Sequence, residues 1–67
     1  MVSNADIFRS AQVMRREHGD DALALSQARA NKHQDAGDDQ GAAVWMRIAR
    51  AIGELGRMAP EDGEARH

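Results

Sequence analysis

Cysteine is missing altogether from this chain of 67 residues. That excludes a disulfide-stapled secreted scaffold, removes the thiolates that most structural zinc sites use, and leaves the cytoplasm as the default compartment. Aromatics are nearly missing as well, with one tryptophan, one phenylalanine and no tyrosine. β-Branched residues are few, so there is little material for strands. No apolar run approaches the ~20 residues a membrane-spanning helix needs. Met1–Asn4 carries no basic segment followed by an apolar one, so no signal peptide is expected. A chain this short buries only about 60% of the surface its unfolded form exposes, and its core is marginal. Without disulfides, stability must come from close helix packing, a bound ligand or self-association.

What is present favours helix: alanine throughout, with Leu, Arg, Gln, Glu and Met. The apolar spacing predicts an all-α fold, a small three-helix bundle built as a helix plus an αα-hairpin. One domain is expected over residues 1–58, with helices at about 4–18, 21–36 and 39–57. Residues 59–67 contain Pro60 and no apolar anchor, and are expected to form a disordered, flexible tail.

The first helix has Ser3 or Asn4 as its N-cap and Asp6 at the positive end of its dipole. Ile7, Phe8, Ala11, Met14 and His18 share one side, and Gly19 supplies a left-handed stop. Asp20 is expected to cap the second helix. There Ala22, Leu25, Ala28, Lys32 and Ala36 share a face, while Leu23 and Ala30 point elsewhere as a smaller apolar patch. Gly37-Asp38-Asp39 repeats the Gly19-Asp20-Asp21 punctuation, and the short links favour antiparallel neighbours. The third helix is the clearest, with Gly41, Val44 or Trp45, Ile48, Ile52 and Leu55 on one face and Arg47, Arg50, Glu54 and Arg57 opposite. Gly53 and Gly56 each weaken its last turns by roughly 1 kcal/mol relative to alanine, which predicts fraying after Leu55.

Chemistry-bearing patterns are scarce. Adjacent Asp20-Asp21 and Asp38-Asp39 do not alternate as the ligands of a calcium loop do, and capping explains them. His18, His33 and His67 lack metal-ligand spacing, and Ser3, Ser10 and Ser26 stand in no nucleophile motif. There is no glycine-rich phosphate loop. No catalytic residue, metal or cofactor is therefore expected, and the chain is not expected to be an enzyme.

Two basic groups remain, Arg9, Arg15 and Arg16 in the first helix and Arg47, Arg50 and Arg57 in the third. A helix-turn-helix reader of DNA would point the start of its second helix at the groove, where this chain carries Asp38 and Asp39. Those carboxylates would repel phosphates, so nucleic acid is the less favoured partner. Met, Trp and Arg are enriched where proteins meet. Phe8, Val13, Leu23, Trp45 and Met46 are the candidate interface residues.

The run His18-Gly19-Asp20-Asp21-Ala22, then Ala28-Arg29-Ala30, Ala36-Gly37-Asp38 and Gly41-Ala42-Ala43-Val44-Trp45-Met46-Arg47-Ile48 resembles an uncharacterised bacterial family of very short all-helical proteins, classed as a domain of unknown function. The resemblance runs roughly from Asp6 to Leu55 and departs at Gly53, where the family pattern carries an acidic residue. It implies a bacterial source and a helical fold, and brings no activity or site. The alanine-rich hairpin is also similar to one tetratricopeptide-type helix pair, but without the stacked neighbours that architecture requires.

By elimination, the expected role is a non-enzymatic protein-interaction module, an adaptor or modulator of a larger partner that also self-associates, as a homodimer. The alternatives are a nucleic-acid-associated regulator using the two arginine groups, or a phage or mobile-element inhibitor of a host complex.

Overall fold

The computed structural model describes residues 2–58. The expected tail, residues 59–67, lies outside the described residues. All the regular structure among the described residues is helical: α1 (Asn4–His18), a 3-10 turn (Gly19–Asp21), α2 (Ala22–Asp35) and α3 (Asp39–Met58).

Ser3 caps α1, its Oγ accepting the Asp6 N–H at 3.2 Å. Arg15, Arg16 and His18 sit in the last turn, where positive charge suits the dipole. Gly19 stops the helix at φ 57 and ψ −126, its N–H donated to the Arg15 carbonyl. Its φ is left-handed as expected, but its ψ is not that of a left-handed helical residue. The chain passes straight into the 3-10 turn and then into α2.

Two expectations fail at this junction. Asp20 does not cap α2: Asp21 holds the cap position, in helical conformation and without a side-chain hydrogen bond. Nor is there a bundle of three mutually packed helices. Helical structure runs from Asn4 to Asp35 with no coil residue between α1 and α2, so the chain makes two helical arms, the first bent at Gly19. Both halves of the bent arm pack chiefly on α3 and scarcely touch each other.

The second junction reverses the chain, and the difference is traceable to residues. Gly37, at φ 81, closes a Schellman motif: its N–H is donated to the Gln34 carbonyl at 3.0 Å and that of Asp38 to the His33 carbonyl at 2.8 Å. Asp38 then starts α3, with Oδ1 accepting the Gly41 N–H at 2.9 Å and Oδ2 facing His33 Nδ1 at 2.9 Å. A Cβ at Gly41 would run into that carboxylate and the His33 ring. At the equivalent place in the first junction stands Leu23, three residues after Asp20.

The core joins Ile7, Ala11 and Met14 of α1 and Ala22 of α2 to Ile48, Ala51 and Ile52 of α3. Burying each isoleucine contributes roughly 1.5–3 kcal/mol. The α2 face differs from the expected one. Its buried residues are Ala22, Ser26 and Ala30, each four apart, with Leu25 half-buried, while Ala28, Lys32 and Ala36 are exposed. Ala30 therefore belongs to the buried face and Leu23 to the surface. The buried face of α2 is thus made of small residues, and Ala42 and Ala49 are likewise buried on α3. Phe8, expected on the inner stripe of α1, is exposed. The last turns of α3 hold helical form to Met58 despite Gly53 and Gly56.

Candidate functional site

Among the described residues, three large apolar side chains lie on the surface: Phe8 at 42%, Leu23 at 39% and Met46 at 58% exposure. Each lines a cleft along α3. Leu23 and Met46 flank a shallow cleft between α2 and α3 whose wall carries Arg47, Arg50 and Arg57. Phe8 lines a second cleft, between α1 and α3, with the same Arg47 and Arg50 and with Glu54. A third cleft, at the Gly19 bend, brings Arg15, Arg16 and Asp20 beside Leu23, Gly53 and Gly56. Shared residues join the three into one surface, centred on the side of α3 that faces away from the core.

The other two candidate interface residues lie elsewhere. Trp45 is half-buried and packs against the core cluster. The Arg29 guanidinium carbon sits 4.9 Å from its ring centroid, a cation–π contact that covers an indole face from within the molecule. Val13 is half-buried on α1, about 140° round the helix from Phe8.

The surface is also polarised. The described residues hold equal numbers of acids and bases, yet the three clefts carry Arg15, Arg16, Arg47, Arg50 and Arg57 against Asp20 and Glu54 alone. Arg9 is not among their lining residues. Among the described residues the one contact at ion-pair distance is His33–Asp38 at the α2–α3 turn, so no arginine is neutralised that way. Arg47 is steadied instead by an uncharged partner, its Nη2 donating to Asn4 Oδ1 at 2.6 Å, 43 residues away in sequence. At the turn, the Gly41 N–H and then the His33 ring hold the Asp38 carboxyl below its usual range, against a slight opposing effect of desolvation.

The two glycines in this surface differ from Gly41. Among the described residues, a Cβ built at Gly53 or Gly56 meets nothing within 4 Å, so no contact among them requires glycine at either place. Sequence reasoning saw them only as weak points in a helix. Their signal was present in the text, since two glycines three apart in an otherwise strong helix call for a reason.

Among the described residues, no group of three His, Asp or Glu side chains is placed to hold a metal ion. No described helix is long and apolar enough to cross a membrane. Comparison of the chain with protein-family models, curated proteins and solved structures finds no match.

Proposed function

We propose that this protein is a non-enzymatic interaction module, an adaptor or modulator that docks on a larger protein through the outward side of α3. One observation carries the reading: Phe8, Leu23 and Met46, the large apolar residues exposed among the described ones, all line clefts that meet along that helix. Surface exposure of one such residue is ordinary, whereas grouping of several marks contact surface. A cytoplasmic setting, a bacterial source and membership of the short helical family it resembles belong to this proposal. A phage or mobile-element inhibitor is a special case of it, since an inhibitor of a host complex also works by docking.

The test is a photo-crosslinking residue placed at Met46 and, as a control, at Gln34 on the exposed side of α2, in cells of the native host. Discrete adducts from position 46 alone are the expected result; none, or the same set from both positions, defeats the reading.

A second reading has its own observation. Arg15 and Arg16 share the surface with Arg47, Arg50 and Arg57, as a nucleic-acid-associated regulator would need. Phosphate contacts make affinity fall steeply with salt. A titration of duplex and single-stranded DNA at low salt checks it, and absence of binding there removes it.

A further inference from the structure

We infer that the outward face of α3 is a docking groove for an acidic amphipathic helix of another protein. The site presupposes the interaction role proposed above and adds the chemistry of the partner.

Three independent features define the occupant. The apolar contribution comes from Leu23 and Met46 across one cleft and Phe8 across the next, which suits the spaced anchors of an amphipathic helix laid along the surface. The charge contribution comes from Arg47, Arg50 and Arg57 on the α3 ridge and from Arg15 and Arg16 at the bend, none of them in an ion pair among the described residues. A helix with carboxylates flanking its apolar stripe would neutralise them, as charges flanking a coiled-coil seam do. The shape contribution comes from Gly53 and Gly56. They leave bare backbone beside the Gly19 bend, and a Cβ at either meets nothing within 4 Å among the described residues. Within α3, Gly41 has an internal reason, the Asp38 cap; Gly53 and Gly56 have none among the described residues, although each costs the helix stability. A body approaching closely from outside the chain is the reason that fits, and glycine is the residue that permits such approach. From Met46 to Arg57 the ridge is about 17 Å long, which matches three turns of a docked helix.

A second copy of this chain fits less well. A twofold contact centred here would set Arg47 and Arg50 against their own copies, because each surface patch in such a contact meets itself. A nucleic acid would engage the arginines and leave Phe8, Leu23 and Met46 without partners.

The experiment is fluorescence anisotropy with the full chain and labelled peptides of about 20 residues, long enough to hold helix. One probe has leucines at helical spacing flanked by glutamates, a second has lysines for the glutamates, and a third scrambles the first so that charge stays and the apolar stripe is lost. A single-stranded oligonucleotide is the fourth. Binding of the first alone is expected, weakening several-fold between about 50 and 500 mM salt as screening grows. Arg50→Glu should weaken it tenfold or more. Gly53→Leu should abolish it with circular dichroism unchanged, because a Cβ at this position meets nothing within 4 Å among the described residues. Gly53→Ala should raise the melting temperature by several degrees while weakening binding.

Equal binding of the scrambled peptide or the oligonucleotide, no binding of the first peptide, or indifference to Gly53→Leu overturns the inference. So does a doubling of mass in light scattering that Arg50→Glu abolishes, since a second copy would then own the face. The crosslinking at position 46 separates this failure from that of the broader reading. Adducts mapped to a segment that is not an acidic helix sink the partner chemistry alone, and the absence of adducts sinks the docking role itself.

Discussion

Ser26 of α2 is fully buried, and its Oγ has no hydrogen-bond partner among the described residues. A helical serine can turn its hydroxyl to the carbonyl four residues back, but here that bond to Ala22 is not made. An unpaired buried hydroxyl costs about 1–3 kcal/mol, and serine gives up roughly 0.5 kcal/mol to alanine in a helix. Ser26→Ala removes both costs. Against them stands the void left by one oxygen, about 0.4 kcal/mol if it measures roughly 15 Å³. The net expectation is a gain of about 1–3 kcal/mol. For a domain of this size that raises the melting temperature by roughly 4–24 °C. Thermal denaturation followed by far-UV circular dichroism, with urea unfolding as a second route to the free energy, measures it. Ser26→Val is the companion: with no free surface at this position, the added methyl groups should cost about 1–3 kcal/mol. A lower melting temperature for Ser26→Ala would refute the reasoning, because it would mean the hydroxyl is bonded in solution and the α2–α3 contact differs from the one described.

Three further outcomes follow from the packing and the caps. Ile52→Ala opens the centre of the core, where Ile52 is 6% exposed, and should cost about 2–5 kcal/mol, enough to leave the chain largely unfolded at room temperature by circular dichroism. Asp38→Asn keeps a good cap residue but removes the titration. The folded-state pKa of Asp38 is lowered, so the charge-dependent stability it confers is complete above the unfolded value near 3.9 and is lost as pH falls through the folded one. The melting-temperature gap between the parent and Asp38→Asn should therefore close as pH drops below about 4; a constant gap would contradict the assignment. Arg29→Ala uncovers the Trp45 ring, and should shift its fluorescence to longer wavelength and lower stability by about 0.5–1 kcal/mol; unchanged emission would mean that the contact is not held in solution.

The helices themselves were written in the sequence. Ser3, Gly19, Gly37 and Asp38 mark their ends because caps and left-handed stops are local events, decided by a few neighbouring residues. The third helix was legible for the same reason, its branched apolar residues falling on one side of a 3.6-residue period. Other features belonged to tertiary structure alone. Gly19-Asp20-Asp21 and Gly37-Asp38-Asp39 read alike, yet one passes through a 3-10 turn straight into α2 and the other closes α2 and caps α3. Gly41 admits a carboxylate and the His33 ring beside the helix where a Cβ would collide. Alanine spacing could not say which face of α2 is inward, since almost every turn offers one. Contact with α3 chose Ala22, Ser26 and Ala30 and turned Leu23 out. The candidate surface is of this second kind. Phe8, Leu23 and Met46 come from three helices and meet the arginines only once α1 and α2 are laid on α3. Periodicity reports which side of a helix is apolar, whereas the packing of one helix on another decides how much of that side remains in water.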